Sequence, residues 1–333
     1  QEEGEALQRK AVKLSPKPAQ ANHNLACSLL KAKKFQEGWI KYEWRWEIKR
    51  NQSKKKELVK NKPSWKPENR GRVLLWAEQG VGDELLFASL IPDLLEKVDK
   101  LIVKTDKRLI PLLKRSLQKD IEFFGKEDPI NENKYDYQIS FGSIAQYLRP
   151  TLESFNSSNN LKLKVNKEKT NMFKTKLHNQ KYKKIVGISW KSSSKINSQR
   201  SLSLEEFILG IYSPEICYVC LQYGEVKTEI KKIKDKYNIS IVEMEEVDKF
   251  KDIDELAALT NACDEVVSIE NMTLCLAGGL GVKSWILLTT NCIWYNGSKE
   301  LKNDWYPSLN LVRKRNHQGW DLALKEIKNK IAL

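Results

Sequence analysis

Residues Arg72–Pro92 read RVLLWAEQGVGDELLFASLIP. Val73–Trp76 is a short apolar run of the kind that forms a buried strand. The small-residue loop Gly80-Val81-Gly82-Asp83 follows, and then Leu85, Leu86, Ala88, Leu90 and Ile91 recur at helical spacing as far as Pro92. Strand, glycine loop and helix together make the opening unit of a doubly wound α/β domain, whose ligands sit outside the carboxyl ends of the strands. Gly80 and Gly82 let backbone approach a ligand closely, and the helix N-terminus offers free N–H groups. Two readings of the loop stand open. A dinucleotide loop needs a third glycine where Leu85 stands, although an acid, Asp106, does end the next expected strand. Alternatively, the glycines open space for a substrate and Asp83 meets it as a base.

Downstream, the same alternation continues. Strands are expected at Leu101–Lys104, Ile121–Phe124 and Tyr137–Ile139, with helices at Glu84–Leu95 and Leu109–Leu117. Phe141-Gly142-Ser143-Ile144 opens a further helix, and Gly142 and Ser143 join the candidate substrate-binding residues. Residues 183–333 repeat the architecture, with strands at Lys184–Trp190, Cys217–Gln222, Ile239–Glu243, Glu265–Ile269 and Trp285–Leu288. The helices between them are Leu204–Ile211 (a capping box from Ser203 to Glu206), Val226–Tyr237, Ile253–Ala262 after Asp252, Leu274–Leu280 stopping at Gly281, and about Trp320–Ile331. Strand–helix alternation of this kind gives parallel sheets. The expectation is two Rossmann-like domains, 72–165 and 166–333, facing each other across a cleft that suits an acceptor on one and a donor on the other.

Upstream, residues 1–48 read as helices, and 49–71 as a charged, proline-containing linker in which Trp65 packs on the domain that follows. Glu3-Gly4 recurs as Glu37-Gly38, the period of about 34 residues of a tetratricopeptide array. One and a half repeats bury their faces only by further stacking or by docking. A plain helical hairpin is the alternative.

The 333 residues carry a net charge of +15, and most of the cations are lysines scattered along the chain. A phosphate-gripping groove would show arginine with interleaved aromatics, so nucleic acid is not the expected partner, while an anionic small substrate remains compatible. No apolar run approaches about 18 residues, so no transmembrane helix is expected. The chain opens Gln1-Glu2-Glu3 with no Met and no basic-then-apolar leader, as a trimmed or partial chain would. Of the six cysteines, Cys217 and Cys220 form a CxxC inside a strand-like run, with no second pair or nearby histidine to complete a zinc set. Buried reduced thiols, and a cytoplasmic location, are the expectation. The three histidines, His23, His178 and His317, exclude a histidine-rich metal centre.

In the second half the candidate ligand residues lie at strand ends: Lys191 and Arg200, then Gln222 and Tyr223, then Glu270-Asn271-Met272-Thr273 leading into Ala277-Gly278-Gly279. Two cations, a hydroxyl and helix N–H groups suit a pyrophosphate. The plainer alternatives are surface charge for Lys191 and Arg200, a helix cap for Thr273, and close helix packing for Gly278 and Gly279.

These segments carry a resemblance. AEQGVGDELLFASLIPDL is similar to the opening of glycosyltransferase-like domains found behind tetratricopeptide repeats in bacterial proteins. VGISWKSSS…RSLSLEEF, CLQYGEV, DIDELAALTNACDEVVSIENMTLCLAGGLGV and WYPSLNLVRK resemble the remainder, in order, over about residues 3–330. The group is the heptosyltransferase-like glycosyltransferases of family nine, of GT-B fold, with a more distant kinship to O-linked N-acetylglucosamine transferases. The resemblance implies inverting, metal-independent transfer of a sugar from a nucleotide-diphosphate sugar, used as donor substrate and not as cofactor, to a protein, peptide or glycan hydroxyl. It places Asp83 as the base, Lys191 and Arg200 on the diphosphate, and Gln222 and Tyr223 at the nucleoside. One departure stands out: where the group has Asp and His, this chain has Glu270 and Cys275. A thiol cannot replace an imidazole as a hydrogen-bonding cation. The departure implies weakened or altered donor binding, or a GT-B module that binds without catalysing.

Overall fold

The computed structural model describes residues 2–15, 17–48, 51, 62–156, 161–178, 181–192, 199–315 and 319–332. Pro16, His317, most of the lysine-rich linker and the centre of the loop Lys191–Arg200 lie outside them. The chain forms two compact units: Gln1–Ile110 with Leu117–Leu161 and Ile293–Lys299, and Pro111–Ser116 with Lys162–Cys292 and Glu300–Leu333.

Unit 1 begins with α1 (Glu2–Leu14), α2 (Pro18–Lys31) and α3 (Phe35–Tyr42), followed by a 3₁₀ turn at Glu43–Glu47. Helix α2 turns Leu25, Ala26, Leu29 and Leu30 inward, as its spacing predicts. Gly38 lets α3 close on α2, because a Cβ there would lie 2.7 Å from Leu30 Cδ2, whereas the matching Gly4 faces open space. Arg9 of α1 holds Glu37 of α3 through two hydrogen bonds of 2.7 and 2.6 Å.

The unit 1 sheet is parallel, in the order β3-β2-β1-β4. Its strands are β1 (Arg72–Trp76), β2 (Lys100–Thr105), β3 (Glu122–Gly125) and β4 (Tyr137–Ser140). The expected helix Glu84–Leu95 is two helices, α4 (Val81–Ala88) and α5 (Ile91–Leu95). Pro92 has no N–H to give and its ring excludes the carbonyl four residues back, so the chain breaks at Ser89-Leu90. Helix α6 (Ile110–Leu117) follows β2 and carries Pro111–Ser116 into unit 2, and α7 (Phe141–Leu148) follows β4. Trp65 is fully buried in this unit: its backbone N–H donates to Gln138 O at 2.9 Å and its indole to Asn69 O at 2.7 Å.

Unit 2 holds a six-stranded parallel sheet in the order β10-β9-β8-β5-β6-β7. The strands are β5 (Lys184–Ser189), β6 (Ile216–Cys220), β7 (Ile241–Val242), β8 (Glu265–Ile269), β9 (Ser284–Leu288) and β10 (Leu309–Arg313). The helices are α8 (Lys167–Leu177), α9 (Leu204–Ile211), α10 (Lys227–Tyr237), α11 (Ile253–Ala262), α12 (Met272–Leu280) and α13 (Asp321–Ile331). Ser203 and Asp252 cap α9 and α11 as read from sequence, each accepting from the N–H three residues on. Winding runs from β5 out to β7, then reverses to β8. The sheet therefore has its switch point between β5 and β8, as unit 1 has between β1 and β4, and a ligand crevice opens outside the carboxyl ends there. Cys217 and Cys220 lie buried in β6, and all six cysteines are free thiols.

Candidate functional site

Each switch point is lined with polar side chains. In unit 1, β1 ends in Ala77-Glu78-Gln79-Gly80, and Gly80 caps α4 in an extended conformation. Asp83 sits at the third position of α4 and accepts from the Gly80 backbone N–H, the reciprocal half of a capping box. The carboxyl is nevertheless pushed up to about 6. Burial is the main cause, the Gly80 N–H and Lys126 oppose it, and Glu78 and Glu84 add to it. Glu84, next in sequence, is wholly buried and structural: it accepts from Thr105 Oγ1 and the Asp106 N–H and pairs with Lys126. Asp106 itself is held by the Arg108 guanidinium at 2.9 and 2.7 Å, which draws its carboxyl below the usual range.

Opposite Asp83's loop, β4 delivers Ser140, Gly142 and Ser143. Arg45, from the 3₁₀ turn, is buried among them. Its Nη2 donates to Ser143 Oγ (2.7 Å), Ser140 Oγ (3.0 Å) and Glu78 Oε1 (3.2 Å), and its Nη1 to Glu43. Its guanidinium also lies over the Tyr42 and Trp46 rings, 4.7 and 4.5 Å from their centroids. The Ser143 hydroxyl donates to Glu43 Oε1 at 2.8 Å. The Gly142 N–H donates to Glu78 Oε1 at 3.2 Å, and a Cβ on Gly142 would lie 2.7 Å from that oxygen. Gly142 and Ser143 thus shape the site by holding Glu78 and Arg45. Gly80 is exposed and Gly82 half-buried. The result is a cavity of about 700 Å³ bounded by Asp83, Glu78, Gln79, Arg45 and the rings of Tyr42, Trp46 and Trp294. His23 and Cys27 of α2 complete its wall.

In unit 2, the Gln222 side-chain oxygen accepts from Ser189 Oγ (3.0 Å), the Trp190 N–H (2.9 Å) and the Lys191 N–H (2.8 Å). Asn271 caps α12 through the Thr273 N–H at 3.0 Å, and its amide donates to Ser189 Oγ (2.7 Å) and Lys191 O (3.0 Å). These two buried amides fix the backbone at the ends of β5, β6 and β8. They position Lys191. Lys191 pairs with Glu229, and Arg200 with Glu270 at 3.3 Å. Tyr223 is half-buried with its ring 6.4 Å from that of Phe250. Thr273 Oγ1 is buried without a hydrogen-bond partner at the start of α12. Gly278 backs onto Tyr306, whose Cγ would be 2.5 Å from a Cβ there, so close packing accounts for this glycine. Cys275 is 1% exposed and keeps its thiol inside the fold.

Of the candidate residues, Gly80, Gly82, Asp83, Gly142 and Ser143 follow β1 and β4, and Lys191, Arg200, Gln222, Tyr223, Glu270, Asn271 and Thr273 follow β5, β6 and β8, while Cys275 and Gly278 lie farther along α12. Arg45, Glu78, Tyr42 and Trp294 are additional lining residues of the unit 1 cavity. For Arg45 the available sequence signal is Trp44-Arg45-Trp46, an arginine between two tryptophans at a helix end. Among the described residues, no group of three or more His, Cys, Asp or Glu is placed to hold a metal ion, and no helix is long and apolar enough to cross a membrane.

No family model matches the chain. It is 29% identical over 320 residues to Protein FlbA of Caulobacter vibrioides, an alignment covering 91% of this chain and 53% of that protein. The chain therefore spans about half the length of this curated relative. Among solved structures it is similar to the ADP-heptose LPS heptosyltransferase II of E. coli (TM-score 0.57, 11% identity, 78% of this chain and 98% of that one). It is also similar to a glycosyl transferase of family 9 from Veillonella parvula (TM-score 0.53, 10% identity, 81% and 93%). The two parallel sheets with their helices share the fold of these enzymes.

Proposed function

We propose that the chain is a glycosyltransferase, moving a sugar from a nucleotide-diphosphate sugar to a hydroxyl of a protein or glycan. The observation that carries this reading is Asp83. It is a carboxylate raised to about 6 at a strand's carboxyl end, on the wall of a cavity large enough for a substrate group. A base near that value is ionised at neutral pH and still basic enough to take a proton. The acceptor hydroxyl gives its proton to Asp83 as its oxygen attacks the anomeric carbon. The bond from that carbon to the phosphate oxygen breaks, and its electron pair leaves with the diphosphate. A single displacement of this kind inverts the anomeric centre. Lys191, Arg200, Thr273 and the first N–H groups of α12 would meet the charge developing on the leaving group, without need of a metal. Tyr223 would face the nucleoside. Because Glu229 and Glu270 pair with both cations, a donor that uses them exchanges two ion pairs for its phosphates. The name of the E. coli neighbour, ADP-heptose LPS heptosyltransferase, supports a nucleotide-sugar donor. A cytoplasmic location and a tetratricopeptide-like character for α1–α3 belong to the same reading, supported by the free thiols and the repeated Glu-Gly.

Glu270 and Cys275, which stand where the resembled group has Asp and His, favour one second reading, a module that binds without catalysing. Titration with nucleotide sugars, followed by nucleotide release in the presence of candidate acceptors, separates them. In a transferase, Lys191→Ala loses donor binding, Asp83→Asn keeps binding and loses release, and release persists in EDTA. Release undiminished in Asp83→Asn would refute the assignment of the base.

A further inference from the structure

Three elements of the N-terminal segment wall the unit 1 cavity: α2 with Cys27, α3 with Tyr42, and the 3₁₀ turn with Arg45 and Trp46. The loop after β1 supplies Glu78 and Asp83 on the other side. Arg45 is the sole lysine or arginine among the described lining residues, and its charge is already taken up. Its guanidinium is bound by two carboxylates, those of Glu43 and Glu78. Nearby Lys126 is likewise spent on Glu84 and the Gln79 carbonyl. The positive end of α4 is met by Asp83 itself. With Asp83 ionised, as a base must be, the cavity holds an excess of negative charge in a partly water-excluded space, where like charges repel more strongly than in water. Aromatic rings make up much of the remaining wall.

Resting on the reading of this cavity as the acceptor site, we propose that it selects acceptors by charge. It takes a hydroxyl borne on an uncharged or cationic group and turns away phosphorylated or carboxylated ones. The N-terminal helices build this preference together with the glycine loop.

Cys27 provides an internal probe. It is half-buried on the cavity wall, while the other five cysteines are buried. The full chain is treated with two methanethiosulfonates of similar size, one carrying trimethylammonium and one sulfonate. Each rate is divided by that of the same reagent with 2-mercaptoethanol. Both reagents see the same thiolate fraction, so the thiol's own ionisation cancels in their ratio. A negative cavity should raise the cation-to-anion ratio at Cys27 at least about tenfold above that of the free thiol. Glu78→Gln and Asp83→Asn should each lower it, and Cys27→Ser should abolish labelling. A ratio at or below the free-thiol value would overturn the proposal, as would a raised ratio that neither variant changes. Should Glu78→Gln fail to fold, the wild-type ratio and Asp83→Asn still decide. Absence of transfer with every donor would defeat the glycosyltransferase reading while leaving this ratio intact, so the two failures are distinguishable.

Discussion

Asp83 is held at a cost to the fold, and replacing it should show that cost. An ordinary aspartate has a pKa of 3.8, whereas this one is raised to about 6. The ionised form is therefore disfavoured in the fold by about 3 kcal/mol. Between these two values the unfolded chain has lost the proton and the native chain keeps it. The native state binds more protons there, and its stability falls as pH rises. The neutral carboxyl imposes no penalty below pH 4, and the full penalty is reached above about pH 6. Asparagine keeps the size and can still accept from the Gly80 N–H, but carries no charge. Asp83→Asn should stabilise unit 1 by up to about 3 kcal/mol at pH 8 and by nothing comparable at pH 4. That corresponds to about 5 °C or more in the melting temperature at pH 8. Thermal melts of both proteins from pH 4 to pH 8 test this, and the gain should open between pH 4 and pH 6.5. An equal gain at both ends, or a loss at pH 8, would refute burial as the cause of the raised carboxyl. The same ionisation predicts that kcat/KM of the unaltered protein rises through about pH 6, whereas Asp83→Asn shows no transfer at any pH.

Two further substitutions probe the framework. Gln222→Ala leaves the Trp190 and Lys191 N–H groups and the Ser189 hydroxyl without their acceptor. It should destabilise unit 2 by about 1–3 kcal/mol in denaturant melts and weaken nucleotide binding through Lys191. Gly142→Ala drives a Cβ to within 2.6 Å of Gln79 Nε2 and 2.7 Å of Glu78 Oε1. A loss of about 1–3 kcal/mol, with reduced transfer, is expected by thermal melt and activity assay. An unchanged melt would show that the loop gives way freely.

Much of this fold is readable where a local pattern and its burial agree. Val73–Trp76 and Glu265–Ile269 are short apolar strands in sequence and buried strands in space. Ser203 and Asp252 announce their helices because a cap needs only residues three apart. Two elements escape the reading. Helix α8, KEKTNMFKTKL, turns only Thr170, Phe173 and Leu177 inward, too little to mark an apolar face. Strand β10, LNLVR, has too short and ordinary an apolar run to stand out by itself. At the sites, Asp83 was legible because the chain brings it to the strand end through four consecutive loop residues. Arg45 was not, because its partners Glu78, Ser140 and Ser143 are distant in sequence and assemble only when the sheet closes. Conversely, Gln222 and Gly278 look like ligand residues in sequence, yet their contacts are consumed by the Lys191 turn and by Tyr306.

The most direct test of the proposed activity is the melting temperature of the protein against a panel of nucleotide sugars and their nucleotides, covering UDP, GDP, ADP, CMP and NAD. A ligand at 100 times its dissociation constant stabilises by about 2.7 kcal/mol, an easily read shift. The proposed activity requires a shift with one nucleotide class and its sugar conjugate, retained in Asp83→Asn and lost in Lys191→Ala. No shift with any nucleotide sugar, or one indifferent to Lys191, would contradict it.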